Sequence, residues 1–341
     1  MKKPILVLTP GDPSGIGPEI TWKALQAIHQ SNLPQNFSIL CVGAQGPWEH
    51  LKAPVHLFSA HENVEAAAEQ FQKATSDQPK VWLLPAPSKA PDSRFLEGYQ
   101  AGWAIEQATQ LVLQGKAAAL VTGPISKERL QKGGYLFPGH TEFLAQLCGV
   151  EEVTMMLANE HLRVSLVTTH LAIKDVAAAL DFDCIRRAVL QTLSSLTKFW
   201  RIPCPKIAIT GLNPHCGESG LFGREEIDLI QPLIQTLQVE FGNKVEISGP
   251  FPADTYFARQ ISLPRSERHD AVVCMYHDQG LIPVKLLDFH RTVNVTLGLP
   301  MIRTSVDHGV GFDIAGKGIA NPSSLQAAIE LAVQLTGKTT L

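Results

Sequence analysis

With 341 residues, the chain has the length of two ordinary domains or of one large α/β domain. Hydrophobic residues make up 45% and charged residues 18%, a composition that excludes disorder, a collagen-like repeat and a coiled coil. The formal charge of −3, with no long basic run, argues against nucleic acid as a partner.

Met1-Lys2-Lys3 is like the start of a signal peptide, but the apolar run at 5–8 is broken at once by Pro10, Gly11 and Asp12, so secretion is not indicated. Uninterrupted apolar runs fall far short of the ~20 residues of a membrane helix, and a soluble, cytoplasmic protein is expected. Short apolar or β-branched runs predict strands at 5–8, 38–42, 81–84, 118–122, 153–157, 164–168, 206–210 and 271–275. Continuous apolar strands of this kind suit a parallel sheet covered on both faces. Between them, Ala101, Ala104, Ile105, Ala108, Leu111 and Val112 trace a helical stripe, and similar stripes run through 185–196 and 227–237. The predicted class is α/β with a mainly parallel sheet. Six cysteines show no CxxC pair, which points to reduced thiols, with Cys41, Cys184 and Cys274 expected as small buried hydrophobes.

In open α/β sheets, ligands bind at loops leaving the carboxyl ends of strands. Five segments at such places carry unusual residues. Residues 9–19, TPGDPSGIGPE, hold three glycines outside the dinucleotide GxGxxG spacing and read equally as a tight turn or as a ligand loop. His170, His215 and His277 follow separate strands or turns, and three imidazoles from separate loops suit a divalent transition metal. His29, His50, His56, His61, His161 and His269, in helix or surface contexts, are given no role. In the segment 137–142, Thr141 is placed to cap a helix while His140 faces an anion. From Lys285 through Asn294 to Arg303, polar groups lie among apolar ones, which suits either a bound phosphate or carboxylate or an internal salt bridge. Finally, Gly309, Gly311, Gly316 and Gly318 would let backbone approach a flat or phosphorylated ligand closely.

Taken together, these segments resemble the 4-hydroxythreonine-4-phosphate dehydrogenase (PdxA) family. The matching motifs are TPGDPSGIGPE (9–19), TGPISK (122–127), GHTE (139–142), TTHLAI (168–173), GLNPHCGE (211–218), GPFPADT (249–255), YHDQGLIPVK (276–285), NVTLGLPMIRTS (294–305) and DHGVGFDIAGKGIANP (307–322). The last of these and GIGPEI (15–20) also resemble loops of isocitrate and isopropylmalate dehydrogenases, which bind NAD without a GxGxxG fingerprint.

The resemblance implies two α/β/α domains with a cleft between them holding the active site. One domain comprises 1–125 and 295–341 and bears the NAD loop; the other, 126–294, bears the metal site and a dimer interface. It implies an NAD- or NADP-dependent oxidoreductase of pyridoxine biosynthesis, acting on a small phosphorylated amino acid with one divalent ion, zinc, magnesium or cobalt. Metal ligands would be His170, His215 and His277, the first two from one subunit of a homodimer and the third from its partner. Substrate would meet His140, Thr141, Lys285, Asn294 and Arg303, with Asp254 and Asp278 in a supporting polar or proton-transfer role. Gly309, Asp313, Gly316, Lys317 and Asn321 would bind the nicotinamide cofactor. Cys216 stands where alanine is expected and Val310-Gly311 where Thr-Ala is expected, which places a reactive-looking thiol beside a ligand. Rival readings are a paralogous dehydrogenase of another phosphorylated hydroxy acid, such as 4-phosphothreonate, and a metal-dependent hydrolase.

Overall fold

The computed structural model describes residues 4–31, 37–58 and 80–337; Met1 to Lys3 and His61 lie outside them. The chain divides into unit 1, Met1–Glu151 with Leu299–Leu341, and unit 2, Glu152–Gly298. The strands among the described residues are β1 (Ile5–Thr9), β2 (Ser38–Gly43), β3 (Val55–Leu57), β4 (Val81–Pro85), β5 (Ala119–Thr122), β6 (Thr154–Ala158), β7 (Arg163–Leu166), β8 (Lys206–Thr210), β9 (Glu246–Phe251), β10 (Ala271–Cys274), β11 (Val293–Leu297) and β12 (Ile302–Ser305).

In unit 1 the strand order is β3-β4-β2-β1-β5-β12, with every neighbouring pair parallel. The register sets Leu8 against Cys41 on one side and Val121 on the other. Strands β1, β5 and β12 are buried along their whole length, and β1 and β5 accordingly read as apolar runs. Ile5, Leu6, Val7 and Leu8 each contribute about 1.5–3 kcal/mol by burial. The helix Leu96–Leu113 turns its Ala101, Ala104, Ile105, Ala108 and Leu111 stripe inward and packs on β1, β2 and β5. The helix Ser323–Leu335 packs on β5, β12 and the helix Gly17–Gln30.

The first crossing between units falls after Glu151, later than the expected 125. The short helices Lys127–Lys132 and His140–Leu147 pack on Leu96–Leu113 and so belong with unit 1. Glycines allow that approach: a Cβ on Gly98 would stand 1.8 Å from the Arg129 carbonyl oxygen, and one on Gly102 would stand 2.1 Å from the Tyr135 ring.

Unit 2 has the order β11-β6-β7-β10-β8-β9. Here β6 runs antiparallel to both β7 and β11, while β7, β10, β8 and β9 are mutually parallel. Strand β9 lies at the edge, where Pro250 costs no ladder hydrogen bond. The helix Phe182–Lys198 packs on β6, β7, β10 and β11, and the helix His277–Leu287 on β6, β7 and β10. Among the described residues no helix is long and apolar enough to cross a membrane.

Two expectations for minor residues change. Cys41 and Cys274 are buried, and burial pushes each thiol up to about 12. Cys184, in contrast, is half-buried in the first turn of Phe182–Lys198, where its amide donates to Asp181 Oδ1 at 2.7 Å and its sulfur meets the Asp181 amide at 3.2 Å. It closes a capping box instead of filling the core. His269 is no surface residue either: its ring nitrogens meet Ser248 Oγ at 2.8 Å, and Tyr256 Oη at 3.1 Å.

Candidate active site

In unit 1 the carboxyl ends of β1, β5 and β12 lie side by side, with Thr9 opposite Thr122 and Thr122 opposite Ser305. Arg303 on β12 is 2% exposed, and its Nη2 donates to Thr122 Oγ1 at 2.6 Å. Burial pulls the guanidinium down to about 9, so it stays charged at neutral pH. His140 begins the helix His140–Leu147; burial, and then the Arg303 charge, hold its imidazole well below the ordinary range. Thr9 Oγ1, Asp12 Oδ2 and His140 Nε2 are buried with no hydrogen-bond partner. Buried polar atoms in folded proteins are normally paired, so this edge is built to meet a ligand's polar groups. A buried cation with a neutral imidazole suits a phosphate or carboxylate.

Thr141 does not cap its helix. Gly139 occupies the N-cap, with no side-chain cap bond, and Thr141 sits inside the first turn. The early amides of the helix are thereby left for an anion.

The first loop is held by contacts within unit 1. Asp12 is 1% exposed and takes the Ser14 amide at 2.9 Å and Arg129 Nη1 at 3.3 Å, while burial pushes its carboxyl up. The turn requires its glycines: a Cβ on Gly17 would stand 1.8 Å from the Pro10 carbonyl oxygen. Buried Glu19 accepts the Ala320 amide at 2.9 Å, and Lys23 Nζ donates to the carbonyls of Gly318 and Ala320 at 2.9 and 2.7 Å. These bonds tie loop 9–19 to the glycine-rich segment. Among the five expected cofactor residues, Gly309 and Gly316 would project a Cβ into open space, which leaves their backbone accessible. Asp313 and Lys317 are exposed, and Asn321 Oδ1 accepts the Ser323 amide at 2.9 Å, tying it to the start of the last helix.

In unit 2, the loops after β7 and β10 carry His170 and His277. Thr168 Oγ1 donates to the Met275 carbonyl at 2.7 Å, and the Val167 amide to that of Cys274 at 2.9 Å. These bonds bring the rings of His170 and His277 to 5.9 Å between centroids. The two rings border a cavity of about 330 Å³ that Leu171, Ile173, Val176 and Tyr276 also line. His277 Nδ1 donates to Asp278 Oδ1 at 2.6 Å, which leaves Nε2 as the ring's acceptor nitrogen. Gln279, two residues on, was missed by sequence reasoning. Its Oε1 accepts Thr210 Oγ1 at 2.8 Å and the Met275 amide at 2.7 Å, and its Nε2 donates to the Gly211 carbonyl at 2.6 Å. It pins the loops after β8 and β10 together, and only its place in YHDQG signals it.

His215 stands on a separate loop, its Nδ1 4.0 Å from Asp254 Oδ2. His215, Cys216, Glu218 and Ser219 all take the left-handed conformation, with φ of 51°, 52°, 44° and 57°. Each such residue costs roughly 1 kcal/mol or more, and strain of this kind persists only where neighbours impose it. Glu226 imposes it. At 3% exposure, its Oε1 accepts the amides of Leu212 and Asn213, each at 2.7 Å, and its Oε2 accepts Asn213 Nδ2 at 3.0 Å. Glu226→Ala strands these donors, and the expected loss is about 2–4 kcal/mol of unfolding free energy in urea titration. Cys216 is not activated: burial first, then Glu226 and Asp254, push its thiol up to about 11.

Among the described residues of one chain, no group of three His, Cys, Asp or Glu is arranged to hold a metal ion. One chain thus brings His170 and His277 together and leaves His215 with Asp254. Lys285, half-buried in the last turn of His277–Leu287, places Nζ 5.7 Å from the Phe289 ring centroid, and half-buried Asn294 on β11 pairs with Leu157.

A 4-hydroxythreonine-4-phosphate dehydrogenase from Ruegeria sp. (strain TM1040) is 44% identical, over 96% of this chain and 95% of that one. A protein from Bradyrhizobium diazoefficiens provisionally named as a D-threonate 4-phosphate dehydrogenase is 41% identical, over 97% and 96%. The crystal structure of 4-hydroxythreonine-4-phosphate dehydrogenase from Klebsiella pneumoniae superposes with a TM-score of 0.84 at 34% identity, covering 98% of this chain and 99% of that one. The family model described as pyridoxal phosphate biosynthetic protein PdxA matches residues 43–332, and the chain belongs to that family.

Proposed function

We propose that the protein oxidises 4-phosphooxy-L-threonine at C3 with NAD or NADP, giving 2-amino-3-oxo-4-phosphooxybutanoate, a β-keto acid that loses CO2 to form 3-amino-2-oxopropyl phosphate. The observation that carries this reading is the buried Arg303 beside neutral His140, an edge suited to a phosphate, in a chain akin over its full length to proteins of that activity. Arg303, His140 and the first amides of the helix His140–Leu147 bind the phosphate, while Thr141, Lys285 and Asn294 orient the remainder.

His170, His215 and His277 would hold a divalent ion, zinc, magnesium or cobalt. The donor set fits: Asp278 engages Nδ1 of His277 and Asp254 faces Nδ1 of His215, leaving both Nε2 atoms to ligate, as carboxylates behind metal-bound imidazoles do. When bound, such an ion would supply Lewis acidity and the nicotinamide cofactor a hydride acceptor. Asp254 and Asp278 then orient histidines instead of moving protons.

The site is shared between two copies of the chain. Supporting this, the helix that begins at His277 exposes Ile282 by 64% and Leu286 by 84%, spaced i, i+4, an apolar stripe fit for a second copy. The protein acts in the cytoplasm.

The backbone of 307–322 approaches the cofactor. Gly309→Ala is the clean test, because its Cβ meets nothing in the chain and its φ is ordinary. The KM for NAD should rise about tenfold with unfolding stability unchanged; an unaltered KM places the cofactor elsewhere.

A second reading, oxidation of 4-phosphothreonate, is favoured by the Bradyrhizobium relative. A panel of both phosphorylated acids with NAD and with NADP, followed by nicotinamide absorbance near ~340 nm, separates them. Turnover of neither acid would reject both.

A further inference from the structure

Away from the histidine loops, unit 2 holds a second polar pocket, of about 90 Å³, between the 159–162 turn and the segment 265–270. Three guanidiniums line it: Arg163, Arg265 and Arg268. None of them forms an ion pair among the described residues. Arg163 Nη1 donates to the Asp270 carbonyl oxygen at 2.9 Å and its guanidinium lies 5.4 Å from the Trp200 ring centroid. Arg268 donates to the carbonyls of Leu263 and Ile261 at 2.8 and 2.6 Å.

Two carboxylates share the lining and are outnumbered by the three guanidiniums: Asp270, whose Oδ2 takes the Lys206 amide at 2.8 Å, favours the charged Arg163, and Glu160 is exposed on the turn. His269 has both ring nitrogens engaged, so it adds neither charge nor a free donor. Burial, despite nearby Asp270, pulls the Arg163 guanidinium below its ordinary value, and the like charge of Arg265 pulls the same way. Partly buried like charges facing one recess are costly unless an anion joins them.

We propose that this pocket binds a tetrahedral oxyanion, either inorganic phosphate or the terminal phosphate of a phosphomonoester, held by Arg163, Arg265 and Arg268. The volume admits one such group. Planar guanidiniums match its oxygens with charge-assisted hydrogen bonds. Arg163 opens β7, and Asp270 precedes β10, so the pocket lies at the amino ends of the strands whose carboxyl ends lead to His170 and His277. About 13 Å of strand separates the two ends. The pocket is lined by residues of unit 2 alone and shares none with the phosphate edge assigned to Arg303 and His140.

The test uses the full chain. Crystals soaked in tungstate, a heavy tetrahedral analogue, should show anomalous density among the three arginines. Calorimetric titration with inorganic phosphate should show a component with Kd on the order of 1 mM or tighter. Arg265→Ala, an exposed position whose loss leaves the fold intact by circular dichroism, should weaken that component about tenfold and leave KM for the phosphorylated substrate unchanged. Glycerol 3-phosphate, titrated in parallel, separates the sources: equal or tighter binding assigns the site to phosphomonoesters, and weaker binding to free phosphate. No tungstate density in the pocket, or an Arg265→Ala isotherm identical to wild type, overturns the proposal.

Discussion

Arg303→Met is expected to lower kcat/KM for the phosphorylated substrate by about 10²- to 10⁴-fold while the thermal midpoint holds or rises. Two charge-assisted hydrogen bonds to a phosphate, at about 1.5–3 kcal/mol each, account for the loss. The stability expectation has the opposite sign because Arg303 is 2% exposed and its charge is disfavoured there. Methionine fills similar volume without a charge to desolvate, and replacing buried charges by apolar groups is often neutral or stabilising. Steady-state kinetics and a melting curve on one preparation check both halves. The phosphate-free substrate supplies the control, since wild type and variant should turn it over equally poorly. An unchanged kcat/KM would remove Arg303 from the site.

The sequence disclosed the parallel core because burial on both faces makes its strands apolar without interruption. Strand β1 is the clearest case, and the stripe on the helix Leu96–Leu113 is as plain. Strands β3, β9, β11 and β12 escaped notice for physical reasons: β3 is three residues long, β9 contains Pro250, and β11 and β12 carry Asn294 and Arg303 inside them. Those last two polar residues stand out in the sequence as candidate ligand groups for the same reason that they hide the strands. Thr141 went astray because a hydroxyl near a helix start has no way to announce that glycine holds the cap. Glu226 and Gln279 were illegible for another reason. Each works through backbone amides and carbonyls far along the chain, and neither Glu nor Gln advertises a backbone partner. Supporting residues of this kind emerge only once the loops are placed in space.

Mixing the inactive variants His215→Ala and His277→Ala should restore activity. If His170 and His215 come from one subunit and His277 from its partner, a mixed dimer has one site with both lesions and one with three intact histidines. Equal amounts after random exchange give about half mixed dimers, each with one good site, so activity should return to roughly a quarter of wild type. Either variant alone should show no turnover and reduced metal content, since each site then lacks one of three protein ligands. The 5.9 Å separation of His170 and His277 within one chain sharpens the test. If that pair ligates one ion together and the partner supplies His215, the mixture still recovers, because one site again receives both lesions and the other none. Mixing His170→Ala with His277→Ala then separates the two arrangements. These variants recover when His170 and His277 serve different sites, and stay dead when they serve the same one, because every site then contains a lesion. Failure of both mixtures after verified exchange would mean that all three histidines act within one chain, a motion that would have to carry the strained His215 turn away from Glu226 and toward the other two rings.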